Sequence, residues 1–377
     1  MGSNIEKELK EYVYEMQSHL HEIPEPAFQE RKTASYIASQ LKELGYTVQE
    51  KIAGTGIVAF KEGRKKRPCV AIRADMDCIV HDGHDDLLYR HSCGHDAHSS
   101  IALGAAKYLK DRIPELDGSV KFIFQPAEEV GKGARAMTEA GVLNDVDYLI
   151  GYHLRTNHEC EVGQMAPALY HSAGLKITGE IEGKTAHGGR PHLGINAIDV
   201  LHSLISNINT IRTDPMTATN IKFTQISAGK GSLNVIPAHG SFGMDIRSGS
   251  NEELEETLEK IKTMIEQTAL MHHAEINYNI SDGLPAPKYD EFLIETAANS
   301  IKKVMGENAL VDPISTPGSE DFHNYTKLTE VKATYLAIGA NVYPGLHDPE
   351  MTFEKEAMND GVAVVSDMVE TILVSKK

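Results

Sequence analysis

Apolar positions in the first forty residues recur at helical spacing. Leu9, Tyr12, Met16 and Leu20 share one face, and the proline-broken run His21–Pro26 interrupts them. This predicts helix from about Glu6 with a break, then a second helix from about Gln29 to Leu44, stopped by Gly45. Beyond it the apolar runs shorten to strand length, at Gly56–Phe60, Cys69–Ile72, Val120–Phe124 and Tyr148–Gly151. Helical stretches at Ser99–Leu109 and Ala134–Ala140 lie between them. This alternation predicts an α/β domain, with a mostly parallel sheet covered by helices on both faces. Ligands bind such sheets beyond the carboxyl ends of the strands. The polar runs Arg73–Asp77 and Gln125–Glu129, and His153, each directly follow an expected strand.

After residue 172 the pattern changes. A strand (Leu175–Glu182) leads to a helix (Ile195–Ile211), two strands (Ile221–Ile226 and Gly240–Ile246), a charged amphipathic helix (Glu252–Met271) and a last strand (Ala274–Ile280). This β-α-β-β-α-β order predicts a ferredoxin-like α+β module over 173–283, inserted into a discontinuous larger domain formed by 1–172 and 284–377. A strand at Ala333–Ile338 and a helix at Glu354–Val374 would complete the larger sheet. An exposed sheet edge on the module makes a homodimer the expected assembly.

Composition supports two domains, because 377 residues exceed the size at which one core stops growing. Hydrophobic residues at 41% and charged residues at 24% are ordinary for a globular enzyme. The net charge of −17, from 37 basic and 54 acidic residues, argues against a nucleic-acid surface and against docking on anionic lipid. No apolar run reaches the roughly 18–20 residues that span a bilayer. The first twenty residues lack the apolar core of a signal peptide, so the expectation is a cytoplasmic protein. Four cysteines (Cys69, Cys78, Cys93 and Cys160) in so long a chain do not suggest a disulfide framework.

Cys93 stands apart because of its neighbours in Cys93-Gly94-His95-Asp96-Ala97-His98. In an extended segment, Cys93 and His95 would point the same way. With Glu129, His153 and His347 they form a candidate set of metal ligands. This mixture of thiolate, imidazole and carboxylate suits Zn²⁺ or Mn²⁺, and also Co²⁺ or Ni²⁺. Five ligands exceed what one ion needs, so two ions about 3.5–4 Å apart are the better arithmetic. Singly, each of these residues has an ordinary structural explanation; the case rests on all of them falling at strand ends or loops of one sheet. In the pair Glu128-Glu129, one carboxylate can bind metal while its neighbour takes a proton, which assigns Glu129 as ligand and Glu128 as general base. Asp75, Asp77 and Asp96 are candidates to orient the ligand histidines.

These runs resemble a known family. Arg73–Asp77, His91–His98, Gln125–Glu129 and Gly151–His153 are similar to motifs of the aminoacylase and carboxypeptidase family of dinuclear metallopeptidases (peptidase family M20), in its amidohydrolase branch. Thr185–His192, Leu233–Pro237, Gly318–Phe322 and Leu346-His347 continue the match in family order. The resemblance implies two divalent ions on Cys93, His95, Glu129, His153 and His347, with Glu128 as base. It further implies that the inserted module is a lid, often used for dimerisation, whose His187 stabilises the oxyanion. Asn234, Arg247, Gly318 and Ser319 become candidate substrate-binding residues. The implied activity is hydrolysis of N-acyl amino acids or similar small amides. A dipeptidase or aminopeptidase of the same family is the alternative, and a catalytically silent metal- or peptide-binding protein is the alternative of another class. One departure stands out. After Asp77 many relatives read Ala-Leu-Pro and then a longer acidic loop, whereas this chain reads Cys78-Ile79-Val80-His81-Asp82-Gly83-His84. His81 and His84 thereby become candidate ligands or rim contacts.

Overall fold

In the computed structural model, residues 5–83 and 86–374 are described, so His84 lies outside the described residues. Two units emerge. The larger comprises Met1–Tyr170, Lys288–Ser315 and Glu320–Lys377, and the smaller comprises His171–Pro287 with Thr316–Ser319. The last four residues were expected in the larger domain; they belong to the smaller because Ser172 N donates to the Gly318 carbonyl (2.9 Å) and Ser319 Oγ to the Ser172 carbonyl (2.9 Å).

The larger unit is built on a mixed seven-stranded sheet. Its spatial order is Thr47–Ile52, Gly56–Glu62, Ser119–Gln125, Cys69–Asp75, Tyr148–Thr156, Lys332–Val342 and Met165–Ala166. Only the middle four strands pair in parallel. The expectation of a mostly parallel sheet is corrected at both flanks. The first two strands form a hairpin that joins Ser119–Gln125 antiparallel, and Met165–Ala166 closes the other edge antiparallel. The hairpin turns through Ala53 and Gly54, both at positive φ, and so needs no crossover helix. Its outer strand is largely exposed and polar, which is why no hydrophobic run announced it.

Alternation within the strands feeds two cores. Val70, Ile72 and Ala74, with Val120, Phe122 and Phe124, face helices Lys7–His21, His95–Leu109 and Glu356–Leu373. Cys69, Ala71 and Ile123 face the opposite layer, with Ala134, Met137, Phe322 and Tyr325. Both faces are therefore covered, and Cys69–Asp75 and Ser119–Gln125 are buried along their whole length. Helix Glu291–Met305 was not anticipated. Its buried face mixes Leu293 and Ile301 with Thr296, Ala297 and Ser300, which dilutes the apolar period.

The smaller unit has a four-stranded antiparallel sheet in the order Thr219–Ala228, His239–Ser248, Ala173–Glu182, Glu275–Ile280. Helices Ala197–Ile208 and Asn251–His272 bury Val200, Leu204, Ile261 and Ile265 against it. Both helices carry the side-chain N-caps their sequences advertise, Asn196 and Ser250. Among the described residues of the chain, no helix is long and apolar enough to cross a membrane.

Candidate metal centre

The larger unit gathers its chemistry at the carboxyl ends of its central strands. Cys93 and His95 do converge, though not through an extended segment. Gly94 sits in the left-handed region (φ 88°) as the N-cap of helix His95–Leu109, so a turn, not a strand, brings the two side chains together. The helix begins four residues earlier than expected and places His95 in its first turn. His153 lies inside its strand instead of after it, because the parallel pairing with Lys332–Val342 continues past Ala337↔His153 to Gly339↔Arg155. Glu128 and Glu129 leave the Ser119–Gln125 strand through Ala127, itself at φ 56°. Glu30 holds that strained residue by accepting from Ala127 N (2.9 Å).

The donor atoms of Cys93, His95 and His153 all lie within 4.8 Å of one another, and so do those of Cys93, Glu129 and His347. The two groups share Cys93. Cys93 Sγ is 3.3 Å from His153 Nε2, His95 Nε2 is 3.6 Å from Glu129 Oε1, and His347 Nε2 is 3.6 Å from Glu129 Oε2. The imidazoles of His95 and His153 each have their Nδ1 occupied. His95 Nδ1–H donates to the Asp77 carbonyl (3.0 Å) with the Asp77 carboxylate at 3.2 Å, and His153 Nδ1–H donates to the Leu154 carbonyl (2.7 Å). Such partners aim the free Nε2 lone pair at a cation. His95 Nε2 and Glu129 Oε1 are buried and have no hydrogen-bond partner. Orphaned acceptors of this kind beside a buried thiol fit a bound divalent ion.

Electrostatics agree. Burial works against charge on His95, yet Asp75 and the Cys93 and Asp77 contacts hold its proton affinity well above the usual value. The surroundings favour positive charge at that point. Burial, with His98 nearby, keeps His153 neutral, and burial raises Glu129 to about 7 and lifts the Cys93 thiol. Glu128 is pushed well above the carboxylate range by burial first, then by Glu320, Glu129 and Asp321.

The supporting residues sort themselves by contact. Asp77 braces both His95 and the Glu129 amide (3.0 Å). Asp75 accepts from His98 Nδ1 (2.7 Å), and His98 Nε2 accepts from Leu154 N (3.1 Å), so His98 has no free nitrogen to offer. Asp96 is corrected: its carboxylate turns to Gln17 (2.8 Å) and His21 (2.8 Å), tying the first helix to His95–Leu109. Asp96 is buried in the first turn of that helix. His81 joins neither donor group; its Nε2 meets Ser92 Oγ at 2.8 Å.

Beneath Glu128 lies a network that the sequence pattern did not reveal. Arg73, fully buried, donates to Gln125 Oε1 (2.8 Å), Asp75 (2.6 Å), Glu320 (3.1 Å) and Asp321 (3.1 Å). Asp321 N approaches Glu128 Oε1 at 3.4 Å, which couples the network to Glu128. The available signal was an arginine inside an otherwise apolar strand, since a buried guanidinium demands carboxylates.

In the smaller unit, His187 is exposed on a short strand paired with Val235–Ile236, and its Nδ1 accepts from Gly189 N (3.0 Å). The Asn234 carbonyl accepts from Gly188 N (2.7 Å). Arg247 is committed to Asp245 (2.9 Å) and to the Pro317 carbonyl (2.8 Å), beside Gly318 and Ser319.

An α/β unit with thiol, imidazole and carboxylate donors around two overlapping centres, and a second glutamate adjacent to them, defines a metal-dependent hydrolase. Residues 71–371 match the Peptidase family M20/M25/M40, and the chain belongs to that family. It is 28% identical to an N-acetylcysteine deacetylase of Bacillus subtilis, over 96% of this chain and 97% of that one. It is 29% identical to a hippurate hydrolase of Campylobacter jejuni, over 90% and 91% of the two chains. Among solved structures it is similar to a dinuclear metal-binding peptidase of the M20 family from Bacillus subtilis, with 27% identity, TM-score 0.84 and coverage of 98% and 99%.

Proposed function

We propose that this enzyme removes the acyl group from N-acyl amino acids or closely related small amides, with Glu128 as the proton-transferring base. The observation that carries the reading is Glu128 itself. Its carboxylate lies 3.9 Å from His95 Nε2, grouped with His95 and Glu129 on one side and with Glu320 and Asp321 on the other, while Glu129 also reaches Cys93 and His347. Names of relatives support the substrate class: one is called a deacetylase of N-acetylcysteine and another a hydrolase of hippurate.

Cys93, His95, Glu129, His153 and His347 would hold two divalent ions, with Mn²⁺ or Zn²⁺ the first candidates and Co²⁺ or Ni²⁺ compatible with the same mixed donor set. When bound, such ions polarise a carbonyl and supply a nucleophile at neutral pH. Glu128 accepts a proton from the attacking water and delivers it to the leaving amine. Its raised proton affinity suits the second half of that task. Asp77 keeps His95 and the Glu129 backbone in register throughout. His187, from the smaller unit, is the group proposed to stabilise the oxyanion, and Asn234, Arg247, Gly318 and Ser319 the groups proposed to bind substrate. The smaller unit then serves as lid and as the dimer interface.

Glu128→Gln tests the assignment. Metal content, read by mass spectrometry, stays at the wild-type level, while kcat falls by about 10²–10⁴-fold. Turnover near wild type removes Glu128 from the mechanism. A parallel screen of N-acetyl amino acids against dipeptides, with Mn²⁺, Zn²⁺, Co²⁺ and Ni²⁺ added separately, decides the substrate class. Preference for dipeptides would replace the deacylase reading with a dipeptidase.

A further inference from the structure

The segment that departs from the family pattern folds into a hairpin, Ile79–Asp82 against Leu87–Arg90. It starts two residues after Asp77, which braces His95, and ends three residues before Cys93. Alternation along its first strand half-buries Ile79 and His81 and exposes Val80 and Asp82. His81 is thereby turned inward, and its Nε2 lies 2.8 Å from the hydroxyl of buried Ser92. The carbonyl of the same Ser92 accepts from the backbone N–H of His347 at 2.7 Å.

That last bond matters because His347 adopts a left-handed backbone, φ 66°. A non-glycine residue there costs about 1–2 kcal/mol, so surrounding contacts must enforce the conformation. The turn that carries His347 is otherwise exposed, with Tyr343 well out in solvent and the His347 side chain 56% accessible. The hydrogen bond that this turn donates to the Ser92 carbonyl therefore has large leverage over where the imidazole points. His81 secures the residue that accepts it.

We propose that His81 is a positioning residue for His347, acting through Ser92, and that the hairpin so sets the affinity of one of the two metal positions. The inference rests on the ligand assignment above. It gives His81 a role without direct coordination, consistent with its absence from both donor groups. Partners behind a ligand of this kind are worth about 10–100-fold in metal affinity.

The test is calorimetric titration of metal-stripped protein with Mn²⁺ alone, on the wild type and on His81→Ala, His81→Gln, Ser92→Ala and His347→Ala. Wild type takes two ions, and His347→Ala weakens or loses one of them. His81→Ala weakens that same ion by about 10–100-fold and leaves the other unchanged. Glutamine at 81, which keeps a hydrogen-bonding nitrogen, restores most of the loss. Ser92→Ala removes the bond from its other end and gives the same selective deficit, which covers the case of a poorly folding His81→Ala. Wild-type binding of both ions by His81→Ala or Ser92→Ala overturns the proposal. So does equal weakening of both ions, or a glutamine variant no better than alanine. If His347→Ala leaves both ions in place, the ligand assignment itself falls, and the positioning role with it.

Discussion

Replacing Arg73 by methionine should destabilise the larger unit more than any other single change at the base of the site. The guanidinium is completely buried and contacts Asp75, Glu320 and Asp321 at 2.6–3.1 Å. Methionine matches most of the aliphatic length but leaves three buried carboxyl groups without their cation. Breaking a buried ion pair by removing one partner costs about 3–5 kcal/mol, because the remaining charge stays desolvated. At roughly 2–4 °C per kcal/mol for a unit of this size, the midpoint of thermal unfolding falls by about 6–20 °C. Glu320→Gln added to Arg73→Met should recover part of that loss, since a neutral amide carries a smaller desolvation cost.

The pH dependence gives an independent reading. Burial opposes ionisation of Asp75 and Glu320, but His95, His98 and Arg73 hold Asp75 well below the usual range, and Arg73 with the Tyr335 hydroxyl holds Glu320 low. Groups depressed in the folded state contribute stability above their unfolded values, about 4, and lose it as pH falls through the folded ones. The gap between wild type and Arg73→Met should therefore be full at pH 7 and narrow below about pH 4. Asp321 runs the other way: burial pushes it up to about 8 despite three N–H donors, so it adds nothing to the acid-side loss. Calorimetric melts of metal-stripped protein from pH 3 to 8 measure all of this. A midpoint shift under about 3 °C at pH 7, or a gap that widens in acid, would refute the reasoning.

Metal affinity should fall as pH drops below 7, by about tenfold per unit for each proton displaced, because Glu129 sits at about 7 and the Cys93 thiol higher still in the metal-free chain. Titrations in buffers of different ionisation enthalpy would expose the released protons, and affinity flat from pH 5.5 to 7.5 contradicts it. Asp77→Asn should weaken metal binding by about 10–100-fold without unfolding the chain, as it loosens both His95 and the Glu129 amide; equilibrium dialysis reads this directly. Gly133→Ala would put a Cβ 1.6 Å from the Pro126 carbonyl, backbone against backbone. The loop carrying Glu128 and Glu129 must then shift, at a cost of about 1–3 kcal/mol, and kcat should fall. Unchanged turnover would show that the loop tolerates the displacement.

Strand-end chemistry was readable because a buried parallel strand is a continuous apolar run, and the residues just beyond its end must be polar. That logic placed Glu128 and Glu129 beyond Phe122–Phe124 from the pattern alone. It misjudged His153, since an imidazole inside a strand interrupts the apolar run and looks like its end. Cys93 and His95 were paired for the wrong geometric reason; Gly94 at φ 88° lets two candidate donors two residues apart meet at a helix start. The Arg73 network stayed hidden because its partners lie about 250 residues away in sequence, beyond the reach of any local period. The hairpin after Asp77 was hidden differently. Its strands are short and half-exposed, and Asp82-Gly83 at the end of the first resembles an ordinary loop.

These long-range contacts explain why two adjacent glutamates can behave differently. Glu129 faces a thiol, two imidazoles and an aspartate-held backbone, so a cation can offset its burial. Glu128 faces Glu320 and Asp321, whose neutralising partner, Arg73, is already shared with Asp75 and Gln125. Its neighbours therefore favour a protonated carboxyl, while the cation-seeking cluster next door favours an ionised one. A residue between two such fields is suited to take a proton and give it back. Comparing Glu128→Gln with Glu129→Gln should separate the functions: the first loses turnover and keeps metal, whereas the second loses metal first and turnover as a consequence. Equal metal loss in both variants would mean that the two carboxylates act as one ligand pair and that the base lies elsewhere.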